Sequence, residues 1–366
     1  MSNVTIKPLS SETIKPPSQG GVVNWMKDNL FSSRLNSVIS IICIYFLVKF
    51  LIGVVDWGIL NAVFAADSSA CKAASGACWG IVSDKYRLII FGTYPGDEQW
   101  RPLIAMIWFV GLIGCSLHRS FWKLWLIPVW IVSLIGLGVL MWGGVLGLSY
   151  VENTQWGGLP LTLLLAVVGT VAAFPLGILL ALGRRSELPL IRVWCVAFIE
   201  IVRGVPLISV LFMASVMFPL FLPEGVTIDK LLRAQVGIIL FTAAYLAEVF
   251  RGGLQAVPRG QYEAAAAMGL TYWQTMRVVV MPQALRIVIP PTVNSFISTF
   301  KDTSLVLIIG LFDLLATAKV AITDPTWRAF YVEAYIFVAA IYFVFCYSMA
   351  SYANNLETEL RKGEQH

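Results

Sequence analysis

Residues 261–286 read QYEAAAAMGLTYWQTMRVVVMPQALR, a stretch too polar to cross a bilayer and too strongly patterned for a plain connector. Strong helix formers follow Gly260, and Glu263 is expected in the first turn, where a carboxylate favours the positive end of the helix dipole. Gly269 supplies a left-handed stop that alanine would resist. Thr271 then restarts the chain as an N-cap, and Gln274 three residues later completes a capping box. The second helix is predicted through YWQTMRVVV to Pro282, which breaks a helix interior but can begin the next helix. Four alanines, Ala264 to Ala267, leave a narrow surface that a groove of another protein can approach closely. A mere link between apolar segments needs only a few polar residues. A helix lying on lipid wants a larger apolar face with Lys or Arg beside it. The pattern therefore favours docking to a second protein.

The sequence on both sides is that of a polytopic membrane protein. Of 366 residues 58% are hydrophobic and 13% charged, and the mean hydropathy is +0.78, outside the range of soluble domains. Apolar runs that can cross a ~30 Å hydrocarbon core, roughly 20 helical residues each, recur near 38–60, 102–117, 124–147, 159–182, 190–222, 235–250, 287–316 and 330–352. That makes about eight expected spans. The runs are continuous and do not alternate, which fits helices and excludes barrel strands. The first run is followed by NAVFAAD, with small residues that suit a cleavage site. It is too long for a signal peptide and contains Lys49 and Asp56, so it reads as a span.

The Lys and Arg residues predict cytoplasmic termini: HRSFWK and GRRSELP fall inside, while residues 149–159 carry neither Lys nor Arg and fall outside. Residues 1–37 are polar and rich in Ser, Pro and Lys, an expected disordered cytoplasmic tail that ends in a short interfacial helix, NWMKDNLFSSRL. Residues 38–150 form a three-span extension with an external loop at 61–101. SYVENTQWGGLPLT, with Gly157, Gly158 and Pro160, marks the boundary to a second domain, 151–366, whose cytoplasmic loop is 251–286. Cys71 and Cys78 share the external loop, where an oxidising compartment permits a disulfide. Cys43, Cys115, Cys195 and Cys346 lie in expected spans and read as small packing residues. No metal site is expected, because His118 and His366 are the only histidines and neither has a second ligand at useful spacing.

Ionisable residues concentrate after the boundary. EIVRGVP (200–206) and EVFRGG (248–253) each place Glu and Arg three apart on a helix face, where they can pair. An ionisable group in a span is a functional candidate by default. A polar path through the bilayer would be lined by such groups. The candidates are Glu200, Arg203, Asn294, Lys301, Asp302, Thr303 and Ser304, with Glu248, Arg251 and Asp313 nearby. Glu248 and Arg251 read as a brace bordering the 251–286 loop. For Lys301 and Asp302, path and brace both stand. Gly204 and Pro206 break the run 190–222, either as a hinge or as a turn before a re-entrant piece.

The spacing Glu263-Ala264-Ala265, three residues, Gly269, nine residues, then Val279-x-Met281-Pro282 resembles the coupling-loop motif of ABC importer membrane subunits. Val279 and Met281 stand where that family usually has Ile and Leu. IEIVRGVPLI, AYLAEVFRGGLQAVPRGQYEAA, MPQALRIVIP and FKDTSLV resemble permeases for polar amino acids. QWGGLPLTLLL, FKDTSLVLIIGLFDLL and the three extra spans are similar to the larger permease subunit of general L-amino acid transporters. The specific likeness covers residues 155–352, and the first 150 residues match only in layout.

The resemblance implies an all-α fold with a type I ABC importer core of about five helices behind three N-terminal spans, in a bacterial inner membrane. It implies that Glu263, Ala264, Ala265, Gly269 and Pro282 serve ATPase coupling. It further implies a cytoplasmic ATPase that carries ATP and Mg, a second permease subunit and a periplasmic amino-acid-binding protein. The chain contains no Gly-x-x-x-x-Gly-Lys-Ser/Thr phosphate loop, so the energy must come from a partner. No cofactor in this chain and no nucleic acid are expected. An ion-coupled secondary transporter is the rival reading, since it too has broken helices and buried charges, but it leaves the glycine corner unexplained. An enzyme lacks a catalytic set in the spans, and a channel lacks a repeated pore loop.

Overall fold

The computed structural model describes residues 21–118, 121, 123 and 125–362. The predicted disordered tail before Gly21 and His366 lie outside the described residues. Contacts divide the chain into two units, residues up to 63 with 69–78, and residues 64–68 with 79 onward.

In the first unit, α1 (Val22–Asn29) precedes α2 (Arg34–Val55), so the last residues of the expected tail are already helical. Ser33 caps α2 by accepting from the Asn36 amide at 3.2 Å. A π turn, Asp56–Leu60, prolongs it. None of its residues is buried, and an apolar helix exposed all round suits lipid. The stretch expected as an external loop, 61–101, is not loose. It contains α3 (Ser68–Ala73), and Cys71 and Cys78 are bonded, with Cα atoms 5.3 Å apart.

The second unit runs through α4 (Gly80–Phe91), α5 (Trp100–Leu117), α6 (Leu126–Trp142), α7 (Gly158–Arg184) and α8 (Pro189–Gly204). It continues with α9 (Leu207–Phe212), α10 (Lys230–Ala256), α11 (Arg259–Ala267) and α12 (Tyr272–Gln274). α13 (Met281–Asp302), α14 (Leu314–Ala321) and α15 (Tyr331–Lys362) complete it. Its centre is the α7 and α10 pair. Gly169, Ala173, Gly177 and Ala181 recur every fourth residue on α7, all buried, and let α10 approach closely. A Cβ on Gly177 would stand 2.7 Å from Leu246 Cβ, and one on Gly169 2.8 Å from Ile238 Cγ2.

The Gly157–Gly158 corner is where three backbones meet. Gly157 and Gly158 bridge to Phe312 and Asp313, and a Cβ on Gly157 would lie 2.8 Å from Phe312 O and 3.0 Å from Gly92 Cα. Thr162 Oγ1 accepts from the Leu314 amide at 3.0 Å, and Thr317 Oγ1 donates to Ile89 O at 2.7 Å. α14 is thereby fixed to α4 and α7. α5 and α6 are locked by Arg101, which is fully buried and donates to Leu140 O at 2.7 Å and Ser149 O at 2.9 Å, at the carbonyl end of α6.

Among the described residues five helical segments are long and apolar enough to span a bilayer: Arg34–Leu60, Gly96–Leu117, Gly158–Arg184, Lys230–Ala256 and Arg328–Glu359. A sixth is the pair Pro189–Gly204 and Leu207–Phe221, bent by 105°. Leu126–Trp142 is apolar but shorter, and α13 overlaps the remaining apolar run, so the expected layout is consistent with the helices present. One expected run differs in form. The run 287–316 is not one helix: α13 ends at Asp302, a 3-10 stretch covers Thr303–Ile309, Gly310 turns left-handed at φ +73°, and α14 follows. Asp313 caps α14, accepting from the Ala316 amide at 2.9 Å, and also accepts from the Tyr342 hydroxyl at 3.0 Å. Of the four free cysteines, Cys195 is buried while Cys43 and Cys115 are exposed, so the latter two are not packing residues within this chain.

Candidate functional site

The α11 to α12 corner forms as its residues dictate, with a shift in register. α11 starts at Arg259 behind Pro258, so Glu263 lies in the second turn and not the first as expected. Gly269 adopts φ +73°, and its amide donates to Ala266 O at 3.0 Å while the Leu270 amide donates to Ala265 O at 3.1 Å. This paired closure satisfies two carbonyls at the helix end. Gln274 Oε1 accepts from the Thr271 amide at 2.9 Å, completing the capping box. The second helix is short. α12 passes at Thr275 into a π stretch, Thr275–Val280, before Pro282 takes its place in the first turn of α13.

The corner has an inner and an outer face. Ala265, Thr275, Met276 and Val280 are buried toward α10 and α13. Glu263, Ala264 and Gly269 are exposed, as are Met268 (80%) and Trp273 (69%). Exposed Met and Trp side chains are enriched at protein interfaces. Three side chains tie the inner face to the helices. Tyr262 OH donates to Leu254 O at 3.1 Å and accepts from Arg185 Nη1 at 3.2 Å. Gln283 Nε2 donates to Gln261 Oε1 at 3.1 Å.

Immediately above lies a knot of charges. Glu248, with 15% of its side chain exposed, accepts hydrogen bonds from Arg251 and Arg184 and forms an ion pair with Arg203 at 3.6 Å. Glu200 pairs with Arg184 at 3.1 Å. The expected Glu248 and Arg251 pairing is present, but Glu200 and Arg203 exchange partners across helices, because Arg203 turns toward α10 and lies over the Tyr245 ring at 5.5 Å. α7, α8 and α10 are thus joined by side-chain charges.

The expected path residues do not converge. Glu200 and Arg203 belong to the knot. Lys301 and Asn294 are exposed, Asp302 and Ser304 half-buried, and Thr303 is buried with its hydroxyl donating to Phe300 O at 2.8 Å. Thr242 and Thr299 meet at 3.2 Å, which places the Lys301 end of α13 beside the first half of α10, away from Glu248. Gly204 ends α8, Pro206 precedes α9, and a Cβ on Gly204 would meet nothing within 4 Å. Sequence reasoning missed Arg184 and Arg185, which it counted only as topological charges. It also missed the buried hydroxyls of Thr242 and Thr299, which hide among apolar neighbours.

Residues 173–362 match the family described as binding-protein-dependent transport system inner membrane component. The chain belongs to this family. It is 46% identical over 365 residues to the inner membrane amino-acid ABC transporter permease protein YhdY of Escherichia coli (strain K12), covering 98% of each. It is 38% identical to the glutamate/glutamine/aspartate/asparagine transport system permease protein BztC of Rhodobacter capsulatus, covering 95% of each. A crystal structure of an amino acid ABC transporter with histidines is similar at 33% identity and a TM-score of 0.50, over 55% of this chain and 92% of that one. This inner membrane component is a multi-pass transport subunit and not an enzyme. Its family implies an ATPase on a separate subunit, and the ion-coupled alternative finds no support.

Proposed function

We infer that the chain is one permease half of an ATP-driven importer for L-amino acids. The exposed corner around Gly269 carries the reading, because a rigid, satisfied helix end that presents alanines, Met268 and Trp273 is built to seat in another protein. Glu263, Ala264, Ala265 and Gly269 dock an ATPase that holds ATP and Mg, while Pro282 begins the helix that receives the motion. Arg185, Tyr262 and Gln283 pass displacement of α11 to α7, α10 and α13, and the Glu248 knot makes α8 follow. A second permease subunit completes the pathway, and a periplasmic amino-acid-binding protein delivers the substrate. Both termini and the 251–286 loop face the cytoplasm, residues 38–150 form the extension, and 151–366 form the permease core. Lys301 to Ser304, Asn294, Glu200 and Arg203 are the path candidates, and Gly204 with Pro206 is the hinge. The L-amino acid assignment rests on the likeness to the two relatives.

Uptake into proteoliposomes that hold the whole transporter tests the proposal. Labelled L-amino acid should accumulate only with enclosed ATP and external binding protein, and Gly269→Asp should abolish it. Accumulation driven by a proton or sodium gradient without ATP would overturn it.

A further inference from the structure

Between α5, α6, α7 and the first turn of α10 lies a partly open cavity of about 240 Å³. Met106 and Phe109, Leu137 and Met141, and Leu163 and Leu164 line it, with Leu231 at its edge. One lining residue departs from this apolar pattern. Trp156, in the turn before α7, is 3% exposed, its ring lies 4.7 Å from that of Trp142, and its Nε1 has no hydrogen-bond partner. A buried indole N–H ordinarily finds an acceptor.

Water is a poor occupant. A buried water needs two to four polar partners, and the lining side chains offer only indole donors and weak thioethers. An apolar chain that carries an acceptor at its head meets both demands. The neighbouring faces of α5 and α6 expose Ile104, Ile107, Ile131 and Val132, the surface a spanning pair turns to lipid. Trp156, Trp142 and Leu231 sit at helix ends, the level at which tryptophan gathers in membranes and phospholipid esters lie. An apolar cavity of about 150 Å³ holds benzene, so this one holds on the order of ten carbons.

We propose that the cavity binds one acyl chain of a membrane phospholipid, whose ester carbonyl accepts from Trp156 Nε1. The chain wedges α5 and α6 onto α7, so a bound lipid is part of the joint between the extension and the core. This site is independent of the substrate carried.

The test uses the assembled transporter in nanodiscs of phosphatidylethanolamine and phosphatidylglycerol that carry a diazirine in one acyl chain, with labelled peptides mapped by mass spectrometry. Met106, Leu137 and Leu164 should be labelled well above the outward Ile131 and Val132. Ala105→Phe, which fills the cavity, should reduce that labelling to the outward level. Trp156→Phe keeps the bulk but removes the donor, and should weaken labelling roughly two- to tenfold, the loss of one hydrogen bond. Retained co-purification with the ATPase separates these outcomes from misfolding. Equal labelling of cavity and outward residues, or labelling unchanged in either variant, would overturn the proposal.

Discussion

At Glu248 one carboxylate faces guanidinium groups from α7, α8 and its own helix, whereas Glu200 has 55% of its side chain exposed and pairs with Arg184. Removing the charge at Glu248 takes the carboxylate from Arg203 and Arg251 and leaves Arg184 to its Glu200 pairing. Glu248→Gln should therefore lower stability by roughly 1–3 kcal/mol, and Glu200→Gln by clearly less, when thermal unfolding of the purified complex is compared. Equal losses would show that Glu248 is not the hub. Outside the spans, Lys85 bonds Asp324 at 2.9 Å, which holds the Asp324 carboxyl down to about 2 and raises the Lys85 ammonium. A carboxylate whose folded pKa is depressed stabilises above its unfolded value, near 4, and loses that contribution as pH falls toward 2. The stability difference between the native chain and Asp324→Asn should stay constant from about pH 5 to 8 and shrink below about pH 4. A difference that grows on acidification would contradict this ion pair. The i,i+3 spacing made Glu248 and Arg251 legible in the sequence. The partner exchange of Glu200 and Arg203 was not, because it depends on which helix each side chain meets.

Helices α7 and α10 hold the core by backbone proximity. Gly177→Val would force a branched side chain against Leu246, with an overpacking cost of about 1–3 kcal/mol. Reduced thermal stability and assembly should follow, while Gly252→Val, at a glycine with nothing within 4 Å, should cost less by the same assay. The bend between α8 and α9 calls for a different variant. Because Gly204 has free space around it, Gly204→Val should fold and still recruit the ATPase, yet transport more slowly if the bend works as a hinge. Full transport by that variant would leave the bend as a fixed turn. Hydrophobic runs made the long apolar helices legible, and Gly-x-x-x-Ala spacing on α7 was present in the sequence, but α3 and α4 were read as loop because they fall between those runs. The broken end of α13 was not legible, since TSLVLIIGLFDLL is continuously apolar and only Gly310 and the Asp313 cap interrupt it.

On the scale of the whole molecule, the corner at Gly269, the tyrosine and arginine link above it and the charge knot form one connected route from an exposed surface to three helices. The corner was readable because glycine, threonine and glutamine at those positions satisfy a helix end and the next helix start by local bonds alone. The link was not, since Arg185 and Tyr262 are distant in sequence and meet only after α7 and α10 pack. The most direct measurement places a photoreactive residue at Met268 and, as a control, at the exposed Tyr150 in the assembled transporter, each with and without Gly269→Asp. The account predicts an adduct with the ATPase subunit from Met268 alone, lost when Gly269 is replaced by aspartate. An ATPase that co-purifies with the complex but forms no adduct at Met268, or reacts equally at Tyr150, would contradict it.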